Sequence, residues 1–502
     1  KVIYTFKGFF MYENKFHWAR KIGFGLRPED TIPDNIDVWN KEQLKISNVD
    51  LGLNGQGQWP DNFNFSLEKR FKRLHTYRTK EKKYDNDDIS LDEKNRLRFA
   101  ARDENIVHLY DVYKYWNNSI YGQDTFHQRL VHFWANHFTV GGSNNFRNYI
   151  IGDLIYNTIG ENLGGSFSNL LQKVTLHPGM LDYLDNVFSS GENSNFTKTM
   201  REEGKTAGLN DNLSRELLEL HTVSTAKEYS EKDIKNVAKI LAGWGLIVSN
   251  YTREFNQEKS NGNIKKNIRF EDFIKKPYLK DRSEPGKKNV LGKSFSSGPR
   301  SIYKLIKMLA EDDHTAQHLS RKLAIHFIGE NVSKQEINEI YQTWKASNGD
   351  LAEVHRITLE VSQKTNVKKF LWPTTWMFQC VRLSGAKFIS DKNRNNGFGE
   401  IQNNGLPKNE PLGILDEIGH NFWSSRQPDG YSEKKQDWVS TEHFDRRIRI
   451  ASRIYRANPS MSGEEIAEIY GFSDRTKMSI STAKTSEDKF IVALCSPELM
   501  EV

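Results

Sequence analysis

Cysteines and well-defined catalytic motifs are scarce or missing in this 502-residue chain. Its two cysteines, Cys380 and Cys495, allow at most one disulfide, and both lie in apolar segments typical of buried thiols. No CxxC pair, HExxH helix, Walker loop or GxSxG elbow occurs. These absences exclude a disulfide scaffold and the best-defined zinc, nucleotide-binding and serine-hydrolase classes.

A strong excess of one charge and a long apolar run are also lacking. The 72 basic and 65 acidic residues leave a net charge of +7, without a nucleic-acid-binding module, so we expect no nucleic-acid partner. No apolar run approaches the roughly 20 residues that cross a bilayer, so we expect no membrane span. The chain begins at Lys1 without a signal-like stretch, and the residues alone leave its localisation open.

Helical periodicity is what the sequence has in quantity. Apolar residues recur with a helical period along most of the chain, and strand–helix alternation is missing. We therefore predict a mainly α-helical fold, one large multi-helix unit in which an N-terminal part (1–249) packs with a C-terminal part (299–502). Between them, 250–298 mixes Gly, Asn and Lys with β-prone pieces such as "NVLGKSF" (289–295), which predicts a small irregular insertion with a β-hairpin.

Residues with catalytic potential concentrate between positions 129 and 244. The segment "HFWANHF" (132–138) carries two histidines five residues apart. Because successive helical residues turn by roughly 100°, these two rings point about 140° apart and cannot serve one site. His137 shares a face with Phe133, whereas His132 is expected at a solvated or rim position.

A second segment of this region is "LHPGMLDYLDN" (176–186). Pro178 stands at the favoured first position of a helix, which predicts His177 as the N-cap. Asp182 and Asp185 are three residues apart and are expected on one helical face. That geometry suits a shared cation or an acid–base pair, and equally two solvated acids.

The third segment is "NDNLSRELLELHT" (210–222). Arg215 and Glu219 have the spacing of an ordinary surface ion pair on a helix. Glu216 and His221 turn toward apolar faces, where a carboxylate and an imidazole must be paired, ligated or neutral. A functional pair and a buried structural pair both satisfy this requirement.

Taken in order, these segments resemble the bacterial family catalogued as domain of unknown function 1800. The likeness covers most of the chain, from "HWARKIGFG" (17–25) to "PDGY" (428–431) and "LCSPEL" (494–499). The resemblance implies an exported, extracytoplasmic protein, periplasmic or secreted, and an alkaline-phosphatase-like partner protein, but it implies no reaction. The family usually carries a histidine where this chain has Ala135.

From these residues we hypothesise one polar pocket that performs metal-assisted hydrolysis. Two or three imidazoles and a carboxylate suit a divalent metal such as Zn²⁺, Mn²⁺ or Fe²⁺, which would activate water while a carboxylate acts as general base. The predicted metal ligands are His137, His177 and His221; the predicted catalytic residues are Glu216, Asp185 and Arg215; the other pocket residues are Trp134, Asn136, Asn212 and Trp244.

The alternative is a non-catalytic cell-surface, glycan-binding or assembly protein whose polar network fixes helix packing. In that case Glu216→Ala costs several kcal/mol of stability and there is no activity to lose. The aromatic segment 419–438 either binds a cell-surface glycan or a protein partner, or covers the core. The sequence leaves open whether the protein is an enzyme.

Overall fold

The computed structural model of the chain describes residues 9–31, 35–45, 51–84, 89–102, 104, 106–142, 145–225, 227–245, 277–388, 410–425 and 427–502. Within these ranges the chain forms 23 α-helices and one two-stranded sheet, which confirms the mainly α-helical prediction. One hydrophobic core cluster contains residues from both halves of the chain. The part boundaries at 249/250 and 298/299 stay a prediction.

Of the α-helices in the described ranges, twelve precede the sheet, and a π-helix over Leu154–Ile159 continues the seventh of them. They are α1 (Phe9–Ile22), α2 (Ile36–Leu44), α3 (Leu67–Tyr84), α4 (Leu91–Arg102), α5 (Val107–Tyr121), α6 (Thr125–His137), α7 (Asn145–Asp153), α8 (Phe167–Thr175), α9 (Pro178–Tyr183), α10 (Asn195–Glu202), α11 (Asn212–Glu219) and α12 (Glu231–Leu241).

Eleven α-helices follow the sheet. They are α13 (Arg300–Ala310), α14 (Asp313–Phe327), α15 (Lys334–Ala346), α16 (Leu351–Lys364), α17 (Pro373–Ser384), α18 (Glu410–Ile418), α19 (Thr441–Arg456), α20 (Gly463–Ile469), α21 (Asp474–Thr482), α22 (Ser486–Leu494) and α23 (Pro497–Met500).

The sheet is the predicted hairpin. Strands β1 (Lys288–Val290) and β2 (Lys293–Phe295) are antiparallel, with Val290 opposite Lys293. The two residues between them, Leu291 and Gly292, both have positive φ, as the tight turns that match the strand twist require. The remaining β-prone pieces of the predicted insertion, up to residue 276, lie outside the described residues.

Helix α6 lies inside the core and is buried on almost every side. Twelve of its 13 residues are buried and Ala135 is partly exposed. A helix of this kind has no solvated face, so the prediction that His132 lies at a rim position is wrong. His132 is 1% exposed, and its ring stacks on Tyr115 with 4.6 Å between the ring centroids.

The aromatic segment 419–438 covers the core. Trp423 and Trp438 are buried, with 3% and 5% of their surface exposed, so they form no exposed aromatic platform. Both cysteines are free thiols; Cys380 is buried and Cys495 is partly buried. Among the helices that the structure describes, none combines the length and the apolar character that crossing a membrane requires.

Candidate functional site

Helix α14 places a lysine against the C-terminal end of α6. Nζ of Lys322 lies 3.0 Å from Nδ1 of His137. The lysine side chain is partly buried, and it forms no ion pair with any carboxylate of the described residues. Burial lowers the pKa of Lys322 to about 8, while Glu433 and Asp429 act from a longer distance in the opposite direction. A buried cation without an acidic partner is costly, which makes this lysine a functional candidate.

Three imidazoles surround the lysine. Burial and the charge of Lys322 lower the pKa of His221 to about 3 and that of His318 to about 4. The same two causes lower the pKa of His137 well below its usual range, and a contact with the backbone of His221 acts weakly against them. All three histidines are therefore neutral near pH 7.

The hydrogen bonds indicate which nitrogen of each ring carries the proton. An ammonium only donates, so Nδ1 of His137 accepts from Lys322 and its proton is assigned to Nε2. Nε2 of His318 lies 3.3 Å from the backbone oxygen of Leu220 and donates to it. Nε2 of His137 and Nδ1 of His221 have no hydrogen bond of ordinary geometry within the described ranges, and these two rings lie 5.9 Å apart between centroids.

Asn136 fixes a turn beside this group. Its side-chain amide donates to the backbone oxygen of Tyr431 at 3.0 Å and accepts from the backbone nitrogen of the same residue at 2.7 Å. Gly430 has φ +74°, and a Cβ there would lie 2.4 Å from the backbone oxygen of Asn136. We call this pair of hydrogen bonds the Asn136 clamp. It requires glycine at 430, and it holds the neighbouring Asp429, which is exposed, in place beside the site.

Two further groups face the same region. Burial raises the pKa of Glu216, and Glu219 and Asp429 raise it further, against Arg215. Burial also raises the pKa of Tyr183 to about 12, where Asp429 and Glu216 again add and Arg147 opposes. Asp429 thus interacts with Glu216, Tyr183 and Lys322, so these groups lie around it.

We call this group the Lys322 site. It consists of Lys322, His137, His221, His318, Glu216, Asp429 and Tyr183, held by α6, α9, α11, α14 and the turn that contains 428–431. Three of its members, His137, His221 and Glu216, were predicted from the sequence, and a fourth predicted residue, Asn136, positions it. The other four members were not predicted.

The remaining predicted histidine belongs to the fold. His177 caps α9, because its Nδ1 accepts from the backbone nitrogen of Gly179 at 3.0 Å. Its Nε2 lies 3.3 Å from Oδ2 of Asp153 and donates to that carboxylate. Both ring nitrogens are used, so the N-cap prediction is confirmed and no lone pair of His177 remains for a metal.

Arg215 is occupied by carboxylates. It forms the expected ion pair with Glu219 at 3.4 Å, a two-point contact with Glu231 at 3.1 and 3.2 Å, and a longer pair with Asp211 at 3.6 Å. The hydrogen bonds that Arg215 donates to Glu231 raise the pKa of Arg215. An arginine shared by three acids is poorly placed to bind a substrate anion.

The two aspartates of segment 176–186 do not share a helical face. Helix α9 ends at Tyr183, and Asp185 lies beyond it with φ +58°. Asp182 pairs with Arg147 at 3.0 Å, whereas Asp185 accepts from Nδ2 of Asn212 at 3.4 Å. The structure thus brings the predicted Asp185 and Asn212 together, but in a contact of their own.

The two predicted tryptophans are core residues. Nε1 of Trp134 donates to Nε2 of His355 at 3.0 Å, and its ring stacks on Phe138. Trp244 is buried, and its ring packs against Tyr278 and Tyr303. Both support the fold, and neither is a member of the Lys322 site.

The residues do not fit the predicted metal site. The structure arranges no group of three or more His, Cys, Asp or Glu side chains, among those it describes, in a way that could hold an ion. The lone pair of His137 faces the Lys322 ammonium, and a metal cation there would repel it. The divalent metal therefore stays a prediction without support from this geometry.

The missed residues had a recognisable signal. His318, Lys322 and His326 are spaced four residues apart, which places them on one face of α14. The segment "PDGY" (428–431) carries part of the family resemblance, but nothing near it in the sequence indicates its partner. The clamp joins it to Asn136, which is 295 residues from Tyr431. A contact of that separation has no local pattern.

These observations define a class: a mainly α-helical protein in which helices from both halves of the chain converge on a buried histidine–lysine group. The family described as "protein of unknown function (DUF1800)" matches residues 17–500, and the chain belongs to this family. No curated protein and no solved structure matches the chain.

Proposed function

We propose that the protein is a hydrolase in which Glu216 is the general base and Lys322 the general acid. The observation that supports this is that neither side chain has an oppositely charged partner within hydrogen-bonding distance among the described residues, although both face one site. Their pKa values are shifted toward neutrality from opposite sides. Such a pair is typical of acid–base catalysis.

The reaction follows from the two protonation states near pH 7. Ionised Glu216 takes a proton from water as the water oxygen forms a bond to an acyl carbon. The carbonyl electrons that this bond displaced onto the carbonyl oxygen then return, the bond from that carbon to the leaving oxygen breaks, and the Lys322 ammonium gives the leaving oxygen a proton. Glu216 afterwards loses its proton to solvent and Lys322 regains one, which restores the starting states. Asp429 and Glu216 make the mouth acidic, so an uncharged carboxylic ester suits the site better than a phosphate.

The histidines position the acid. His137 stays neutral and accepts from Lys322, which holds the ammonium in place without quenching its charge. His221 and His318 add neutral, desolvated surroundings that keep the lysine acidic. The steps proposed here involve Glu216, Lys322 and water alone.

The test is a pH–rate profile on a panel of chromogenic carboxylic esters, with phosphate esters as the comparison. We expect ester hydrolysis to increase with pH as Glu216 ionises and to fall above about pH 8 as Lys322 loses its proton. Glu216→Gln should remove the acidic limb, and Lys322→Met the alkaline one.

Matched controls lie on the surface. Arg321→Met removes the exposed cation next to Lys322 on α14, and Glu202→Gln removes an exposed carboxylate on α10; both should leave the rate unchanged. The proposal is overturned if the protein hydrolyses none of the esters. It is also overturned if Glu216→Gln and Lys322→Met hydrolyse them at the wild-type rate. Activity that a chelator abolishes and Zn²⁺ restores would support the metal-assisted form of the hypothesis instead.

A structural role for the polar residues is the second candidate, and a specific network favours it. The side chains of Glu433, Lys369, His326 and Arg129 are joined in one set of contacts. That role predicts a large loss of stability for Glu216→Ala. The hydrolase proposal predicts only a small loss of stability for this variant, because the Glu216 side chain is partly exposed and has no hydrogen bond in the described ranges.

Export and a partner protein are further parts of the proposal, and both rest on the family resemblance. We propose that the protein acts outside the cytoplasm, together with an alkaline-phosphatase-like protein. Fractionation of cells that express the full-length protein, followed by affinity purification, tests both points. Recovery from the cytoplasm alone, or without any phosphatase-like protein, would contradict them.

A further inference from the structure

A second polar cavity lies apart from the Lys322 site. Its volume is about 250 Å³, and residues of α3, α5, α6 and the π-helix line it together with the segment 63–66. None of its lining residues belongs to the Lys322 site. The volume is about eight times the roughly 30 Å³ that a water molecule occupies in the liquid, which leaves room for one monosaccharide.

Four carboxamides line the cavity, and neighbouring acids set the orientation of two of them. Gln128 donates its amide N–H to Asp124 at 3.1 Å, and Asn157 donates to Asp153 at 2.7 Å. These contacts fix which end of each amide faces the acid, and they leave the amide oxygen able to accept a hydrogen bond and one N–H able to donate. We call this space the amide cavity.

Asn118 supplies an unpaired acceptor. The residue is 9% exposed, and its Oδ1 has no hydrogen-bond partner among the described residues. A buried amide oxygen without a donor costs free energy; because this atom has almost no accessible surface, a ligand hydroxyl in the cavity reaches it only when the Asn118 side chain turns toward the cavity. The cavity is thus rich in acceptors and calls for a ligand that donates.

The charges at the cavity are already balanced. Arg70 gives two hydrogen bonds to Asp111, at 2.6 and 2.8 Å, and further ones to backbone oxygens. Lys114 lies over the ring of Tyr156, and the exposed Glu161 carries the opposite charge. The lining therefore favours a neutral ligand over an anion or a cation.

The backbone is irregular where it borders the cavity. The π-helix Leu154–Ile159 carries Tyr156 and Asn157, and π-helical turns occur frequently at functional sites. Gly152, just before it, lies so close to Asp111 that a Cβ would be 2.1 Å from the carboxylate. The irregular turn and the glycine together hold the buried ion pair and turn Asn157 into the cavity lining.

We propose that the amide cavity binds a neutral monosaccharide, whose hydroxyl groups donate to Gln128 and Asn157 and, once its side chain turns toward the cavity, to Asn118. The apolar faces of the sugar ring pack against Phe63, Phe65 and Val131, which complete the lining. This inference does not depend on the proposed hydrolase, because it concerns other residues and a different measurement.

Isothermal titration and saturation-transfer NMR with D-glucose, D-mannose and N-acetyl-D-glucosamine test it on the whole chain. We expect at least one of these sugars to bind with 1:1 stoichiometry and a Kd of about 1 mM or lower. Asn157→Ala, at an exposed position, and Asn118→Ala should each weaken binding about threefold to tenfold, the value of one net hydrogen bond.

Asn169→Ala is the matched control, since this exposed amide on α8 does not line the cavity. Its Kd should equal that of the wild type, and so should the Kd of Lys322→Met. The proposal is overturned when none of the three sugars binds saturably, or when both cavity variants keep the wild-type Kd. Asn157→Ala decides the second point if Asn118→Ala does not fold.

Discussion

The same two helices supply two regions with opposite character. At one end of their contact, α6 and α14 provide His137 and Lys322, a cation whose only hydrogen-bond partner among the described residues is neutral. Elsewhere along the same pair, Arg129 and His326 join Glu433, which also pairs with Lys369 at 2.6 Å. We call the second group the closed network.

The difference shows how surroundings decide the role of a residue type. In the closed network Lys369 has the carboxylate of Glu433 as its ion-pair partner, and this lysine and His326 lower the pKa of Glu433 strongly against the effect of its burial. At the Lys322 site the lysine lacks such a partner, and its pKa falls instead. Paired charges hold the helices together, whereas the unpaired lysine remains available for chemistry.

The largest expected effect is on activity at the Lys322 site. Lys322→Met removes the general acid and should lower the rate of ester hydrolysis by about 10²- to 10⁴-fold. Lys322→Arg keeps the charge but cannot donate a proton near pH 7, so it should not restore the rate. Steady-state kinetics measures both. A Lys322→Arg variant with wild-type rate would leave the lysine a purely electrostatic role.

A large effect on stability is expected in the closed network. Glu433→Ala leaves Lys369 buried without its partner and should cost about 3–5 kcal/mol of unfolding free energy. Urea denaturation measures this, with Glu353→Ala on the surface of α16 as the control of small effect. Equal midpoints for the two variants would contradict the assignment of the network as structural.

The clamp of Asn136 should affect both properties. Asn136→Ala removes two hydrogen bonds to Tyr431 and should lower the unfolding free energy by about 2 kcal/mol. Because the clamp holds Asp429 in position, the rate of hydrolysis should fall as well. A variant that loses stability but keeps its full rate would separate the turn from the site.

The stability of the protein should depend on pH through Lys322. Burial lowers its folded pKa to about 8 from a usual 10.5, so between these pH values the unfolded chain binds more protons at this residue. The free energy of unfolding therefore increases with pH between about 8 and 10.5. Below pH 8 the full cost of burying the charged lysine is present. Urea denaturation at pH 7 and pH 10 should show that Lys322→Met lacks this gain. Equal pH dependence in both proteins would exclude the shifted pKa.

The smallest effect is expected for Arg215. Its three acids and the arginine lie near the surface, so Arg215→Ala should cost less than about 1 kcal/mol of unfolding free energy. The rate of hydrolysis should change little, because this residue pairs with carboxylates outside the Lys322 site. Loss of activity comparable to Lys322→Met would return Arg215 to the catalytic residues.

Local patterns predicted the helical class, the hairpin and the His177 cap, because periodicity, turn residues and capping act within a few neighbouring positions. They also identified His137, His221 and Glu216 as polar groups on apolar faces. The predicted rim position of His132 is wrong because its burial depends on rings from distant parts of the chain: Phe24 after α1, Tyr115 of α5 and Phe378 of α17. Lys322 and Asp429 were missed because long-range packing, not sequence neighbours, places them at the site.

An NMR titration of Lys322 tests most directly whether this lysine has the lowered pKa of the proposed general acid. Lysine labelled with ¹³C at Cε, compared between wild type and Lys322→Met, assigns its signal and gives its pKa. We expect the Lys322 signal to titrate with a midpoint near pH 8, because the ammonium is buried beside neutral His137. A midpoint near the ordinary 10.5 would show a solvated or acid-paired lysine and contradict the proposed acid.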